Sequence, residues 1–218
     1  MSWQTRCFNN FRLYAVTDSI QPGPHFLKTI ESIYSNGVDI VQLRSKTISM
    51  SEKIRLGRAI RKIATRARKL YFVNDSIDLA LLTDADGLHV GQDDVSPSDI
   101  RSLYRKLKKQ IFVGLSTHSV SQAKVALKQP VDYFGVGPVF KTPTKPSYDA
   151  VGLKLLKQVC RFATKPWVAI GGIDESNVNQ LLLSGAKRIA VVRAIFGASD
   201  PGMASKNLIN KLKGNHHD

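Results

Sequence analysis

Eight short β-rich runs, each followed by a helix-like stretch, predict an α/β chain folded as a single (β/α)8 TIM barrel. The runs are almost continuously apolar, as strands of a parallel sheet buried on both faces are. Eight such units fill the 218 residues and leave no room for a second domain, so residues 1–218 read as one barrel. Residues 1–11 form an extension ahead of it, and 214–218 are expected to be a disordered tail. The rival, an open doubly wound sheet, normally carries a glycine-rich turn after its first strand. Here that turn reads VTDSIQPGP and contains no GxGxxG.

The strands are expected at 12–18, 39–44, 70–75, 87–91, 111–117, 133–140, 166–172 and 188–195. Between them the helix starts are legible. Ser49 and Glu52 have the spacing of a capping box, and Leu56, Ile60, Ile63 and Ala67 then share one helical face. Ser119 with Gln122 repeats the signal ahead of Ala123 and Leu127. Asp174 is placed to cap a helix carrying Val178, Leu181, Leu182 and Gly185, and a last helix covers about 203–213. The segment KTPTKPSYDAVG (141–152) is too rich in proline and threonine for regular structure, which makes it a candidate lid.

Lys and Arg number 32 against 17 Asp and Glu, a net charge of +15 that attracts anions such as phosphorylated metabolites or nucleic acid. Cys7 and Cys160 stand far apart and form no CxxC pair, which argues against a disulfide framework or a cysteine metal site. No run has the length of a signal peptide or a membrane span, so a cytoplasmic location away from any membrane is expected. The basic stretches KIRLGRAIRKIATRARK and RSLYRKLKK fall on outer helices and lack the interleaved aromatics of single-strand binding. A specific nucleic-acid role is therefore the remote alternative.

Barrel chemistry sits where strands end. In the second run Gln42 and Arg44 share one face by alternation, Leu43 faces the other way, and a polar ligand or an ion pair would offset their desolvation. Asn74-Asp75 closes the third run, and Gln92-Asp93-Asp94 follows the fourth. Asp75 and Asp94 suit a shared Mg²⁺, although either could merely cap a helix. Ser116 and His118 end the fifth run as a hydrogen-bonding group and a candidate acid or base. Gly171-Gly172 before a helix start suits a phosphate. Thr142, Thr144 and Lys145 supply two hydroxyls and an ammonium on the long loop.

In order, the chain carries YAVTD, VQLRSK, VNDSIDLA, ADGLHVGQDD, GLSTHS, DYFGVGPVFKTPTK, VAIGGI and IAVV. It thereby resembles the thiamine-phosphate synthase family from about Tyr14 to Pro201. The resemblance implies a transferase that joins a hydroxymethylpyrimidine diphosphate to a thiazole phosphate and releases pyrophosphate. By motif, Gln42, Arg44 and Lys46 would hold the diphosphate, with Leu43 and Ser45 in the same substrate-binding stretch, and Asn74 and Ser116 would contact the pyrimidine substrate. Asp75 and Asp94 would bind Mg²⁺ as cofactor. Thr142, Pro143 and Thr144 would grip the thiazole phosphate and Lys145 the diphosphate. Gly171, Gly172 and the backbone of Val192 and Arg193 would receive the thiazole phosphate as well. Arg44, Lys46 and Lys145 would carry the catalysis. Arg193 departs from the family pattern, which commonly has a small hydroxyl residue there. The resemblance is compatible with a homo-oligomer. The nearest alternative is a thiazole tautomerase of similar barrel, with His118 moving the proton.

Overall fold

A computed structural model describes residues 1–18, 22–142 and 149–214. Eight parallel strands follow one another round a closed barrel: β1 (Leu13–Val16), β2 (Ile40–Leu43), β3 (Leu70–Asn74), β4 (Gly87–Val90), β5 (Phe112–Thr117), β6 (Tyr133–Val136), β7 (Trp167–Ile170) and β8 (Ile189–Val191). β1 pairs with both β2 and β8, so no strand edge is left open. The described helices are α1 (Trp3–Asn10), α2 (Pro24–Ser35), α3 (Met50–Ala67), α4 (Ile77–Leu82), α5 (Pro97–Lys106), α6 (Val120–Lys128), α7 (Gly152–Phe162), α8 (Val178–Leu182), α9 (Arg193–Phe196) and α10 (Pro201–Gly214).

Strand alternation separates two cores. Leu13, Ala15, Val41, Leu43, Val73, Leu88 and Val113 face outward and pack under the helices. Tyr14, Val16, Ile40, Phe72, Tyr133, Val168 and Ala190 face the barrel axis. Helix α1 closes the lower end of the barrel, a role invisible in its sequence. Its Phe8 stacks on Phe112 with ring centroids 4.2 Å apart, and Phe11, just beyond α1, meets Tyr133 edge-on at 6.1 Å.

Local signals behave as their chemistry requires, with instructive exceptions. Ser49 and Glu52 form the capping box of α3. Ser119 caps α6, but Gln122 turns its side chain to the backbone N–H of His118 instead of closing a box. Asp174 accepts from the Ser176 N–H at 2.9 Å, and regular helix begins only at Val178. The cap before α4 is Ser76 rather than Asp75, and the cap before α5 is Ser96 rather than Asp93 or Asp94. The eighth run is not strand throughout. It leaves the sheet after Val191 and turns into the short helix α9, because closure against β1 ends the ladder there.

The base of the barrel repeats one device three times. Asp39, Asp86 and Asp132 each stand immediately before an even-numbered strand and accept from an N–H at the start of the preceding odd one: Leu13 at 3.3 Å, Tyr71 at 2.9 Å and Val113 at 2.7 Å. Each also holds a cation, respectively Lys69, Arg61 and Arg101. Charge-assisted bonds thus satisfy strand donors that the ladder leaves over. The fourth such position holds Arg188, which reaches Asn9 O at 3.1 Å and lies over the Phe11 ring. Replacing Asp132 with alanine is expected to cost about 1–3 kcal/mol, the penalty of orphaning a buried donor. A urea midpoint that falls while the m-value and the cleft's ligand affinity hold would fit; an unchanged midpoint would not.

Candidate active site

The strand ends on the upper side surround a cleft of about 610 Å³. Alternation decides which members of each motif reach it. From the β2 run, Gln42, Arg44 and Lys46 line the cleft. Leu43 and Ser45 are not among its lining residues. Leu43 points to the opposite face and is 1% exposed within the outer core. The Ser45 hydroxyl accepts from the N–H groups of Thr47 and Ile48 at 3.3 and 3.4 Å and shapes the turn.

Arg44 is held from two directions. Its guanidinium donates to Asp18 at 3.0 Å, and its backbone N–H donates to the Thr17 hydroxyl at 2.8 Å. Asp75 and Asp94 both line the same cleft. Asp75 adopts a left-handed backbone (φ 58°) directly after β3, its N–H bonds His89 O at 2.9 Å, and its Oδ1 accepts from Asn74 Nδ2 at 2.7 Å. Asp94 Oδ2 accepts from the Gly91 N–H at 2.7 Å, which folds the loop after β4 back towards the strand end. Among the described residues no group of three or more His, Cys, Asp or Glu is placed to hold a metal.

After β7 and β8, across the ring from β3 and β4, Gly171, Gly172, Val192 and Arg193 line the same cleft, as does Thr142 from beyond β6. Gly172 has φ 64°, and a Cβ there would come within 2.8 Å of Lys141 O and of the Phe140 side chain. Backbone can therefore approach a ligand where no side chain fits. His118 lines the cleft as well, its Nδ1 donating to Gly137 O. Pro143, Thr144 and Lys145, with the rest of 143–148, lie outside the described residues.

Sequence reasoning passed over a polar array beneath the cleft. Gln42 Nε2 donates to the Tyr14 hydroxyl at 2.5 Å, and Tyr14 lies 3.2 Å from the Tyr133 hydroxyl. His89 Nδ1 is 2.9 Å from Tyr133, and His89 Nε2 is 3.0 Å from Ser116 Oγ. Burial pushes the Tyr14 and Tyr133 hydroxyls well above the usual tyrosine range, so both stay protonated. The available signal was the glycine pattern. A Cβ at Gly114 would sit 2.3 Å from Tyr133 and 2.5 Å from His89 Nδ1, so a mid-strand glycine marks the space these rings need. Lys141 and Asp174 also line the cleft without having been singled out as ligands.

Comparison with known proteins now adds to this geometry. A sequence model described as thiamine monophosphate synthase matches residues 13–195. The chain belongs to the thiamine monophosphate synthase family. The match runs from the first residue of β1 into α9, so it takes in every strand and leaves out α1 and α10. A thiamine-phosphate synthase of Thermus thermophilus is 42% identical over 207 residues, covering 93% of this chain and 98% of that protein. One from Nostoc punctiforme is 39% identical over 201 residues, covering 92% of this chain; the chain spans only 56% of that longer relative. A solved thiamine phosphate pyrophosphorylase of Pyrococcus furiosus superposes with a TM-score of 0.85 at 29% identity, covering 94% of this chain and 97% of that one. Relatives named as thiamine-phosphate synthases place this chain among the transferases, and none of its described helices is long and apolar enough to cross a membrane.

Proposed function

We propose that the chain is a thiamine-phosphate synthase that couples a 4-amino-2-methylpyrimidine bearing a 5-diphosphooxymethyl group to a thiazole phosphate. The observation that supports this most is the sorting of groups within one cleft. Two carboxylates, Asp75 and Asp94, follow β3 and β4 with Arg44 and Lys46 after the neighbouring β2, and the glycine cradle of Gly171 and Gly172 follows β7, across the ring from β3.

In this reading Arg44 and Lys46 bind the diphosphate and offset the charge that grows on it as the carbon–oxygen bond breaks. The bonding electrons leave with the diphosphate, and the electron-rich aminopyrimidine carries the positive charge left on its methylene carbon. Asn74 and Ser116 orient that ring. The Gly172 backbone, with Thr142 and the start of α9, holds the thiazole phosphate so that the ring nitrogen faces the methylene carbon. That nitrogen forms the new bond with its lone pair and has no proton to lose, so no strong general base is needed. Lys145 is assigned to the diphosphate and Thr144 to the thiazole phosphate on the resemblance alone.

Asp75 and Asp94 fit a Mg²⁺ ion. A hard cation commonly takes only one or two protein carboxylates and fills its other positions with water and phosphate oxygens, which suits a cleft without a larger ligand cluster among the described residues. When bound, it would supply further neutralisation of the diphosphate.

The reading gives the basic helices no nucleic-acid role; of their cations, Arg61 and Arg101 are engaged by aspartates at the barrel base. Incubation with both substrates and Mg²⁺ is expected to release one pyrophosphate per thiamine phosphate formed, and neither substrate alone should yield it. Isomerisation of a thiazole phosphate without pyrophosphate release would instead support the tautomerase, with His118 as its acid–base group.

A further inference from the structure

Five side chains from five strands form a hydrogen-bonded chain across the barrel, and of these the chemistry proposed for the cleft uses only Ser116. From Gln42 it passes through Tyr14, Tyr133 and His89 to Ser116. Tyr14 and Tyr133 are 1% and 0% exposed, so water does not replace a lost partner there. Such a chain has a direction. Each hydroxyl carries one hydrogen. Tyr14 accepts from Gln42 Nε2, so its own hydrogen goes to Tyr133. The hydrogen of Tyr133 then goes to Nδ1 of His89. A histidine accepting at Nδ1 carries its hydrogen on Nε2 and donates it to Ser116 Oγ. With Gln42 presenting Nε2, any other order sets two hydrogens against each other or strands a buried hydroxyl hydrogen without an acceptor; an amide presenting Oε1 would run the whole chain in reverse.

One direction sets the polarity of both ends. Ser116, whose oxygen accepts from His89, has its hydrogen to donate to a ligand. Gln42, whose nitrogen is turned to Tyr14, has its carbonyl oxygen to offer as acceptor. The complementary ligand edge places an acceptor ring nitrogen beside a donor amino group, as an aminopyrimidine does. An oxopyrimidine presents N–H beside C=O and has both polarities reversed. We propose that Tyr14, Tyr133 and His89 are positioning residues that lock the polarity of Gln42 and Ser116, so that the cleft selects an amino over an oxo pyrimidine. The ligand's identity rests on the synthase reading; the direction of the chain does not.

Tyr133→Phe tests this by removing one oxygen from the middle of the chain while keeping the ring. The variant is expected to raise KM for the aminopyrimidine diphosphate about tenfold, the size of one buried hydrogen bond, and to narrow its preference over the oxo analogue by a similar factor. Affinity for inorganic pyrophosphate should not change, because Arg44 and Lys46 hold that group. Tyr14→Phe releases the Gln42 end alone and should narrow the preference by less. In ¹⁵N NMR, His89 of the unaltered chain should carry its hydrogen on Nε2, and Tyr133→Phe should mix the two tautomers. A hydrogen on Nδ1 in the unaltered chain would overturn the proposed direction. An unchanged amino-over-oxo preference in Tyr133→Phe, or a parallel loss of pyrophosphate affinity that betrays general distortion, would overturn the positioning role. An unaltered chain that releases no pyrophosphate overturns the synthase reading and the selection with it. A working synthase whose preference ignores Tyr133→Phe overturns the selection alone.

Discussion

Replacing Arg44 with alanine is expected to lower kcat/KM for the pyrimidine diphosphate by about 10³, near the upper end for loss of one preorganised group that stabilises transition-state charge. The Arg44 side chain is only 12% exposed, so its charge acts on the diphosphate with little screening by water. The substitution also leaves the Asp18 carboxylate without its 3.0 Å partner, close to where an anion must bind. Asp18→Asn in the Arg44→Ala background should therefore recover part of the loss. Arg44→Lys keeps the charge but not the planar fork, and should fall between the two. The fold should be little affected, because Thr17 holds the backbone of residue 44 through both its N–H and its carbonyl. Steady-state kinetics with thermal unfolding as control would decide; a loss below about tenfold would remove Arg44 from the diphosphate site.

Asp75→Asn is expected to raise the half-saturating Mg²⁺ concentration at least about 100-fold, since losing even an outer partner of a metal ligand commonly costs 10–100-fold. The substitution is close to isosteric. Residue 75 has φ 58°, a conformation that asparagine adopts more readily than most residues, so no new backbone strain accompanies the lost charge. Metal titration of the rate, paired with direct calorimetric binding, separates this from a folding defect. Identical titrations for the two proteins would exclude Asp75 as a ligand.

Much of the cleft was legible because strand alternation is a local property. Once Gln42 is aimed inward, Arg44 and Lys46 follow, and their intervening neighbours turn away. Leu43 and Ser45 fall between them and stay out of the cleft lining, because a strand presents only every second residue to one side. The capping alternative for Asp75 and Asp94 fails for another reason. Adjacent residues compete for one cap, and Ser76 and Ser96, each set directly before the first helical residue, won. The end of β8 is not legible in RIAVVRAI, whose apolar stretch IAVV continues past the last strand residue, Val191.

His89 marks the boundary most clearly. In GLHVG it is one polar residue in a short strand, and nothing nearby says what it meets. Its partners Ser116 and Tyr133 lie 27 and 44 residues away, and Tyr14 lies 119 residues from Tyr133. The order of strands and helices, the barrel they form and the residues eligible to face a ligand were set by sequence alone, because hydrophobic periodicity and capping act over a few residues. The direction of the buried hydrogen-bonded chain and the three aspartate clamps at the base were decided only in the tertiary structure. Both require donors and acceptors from distant strands to meet, and closing the ring brings them together.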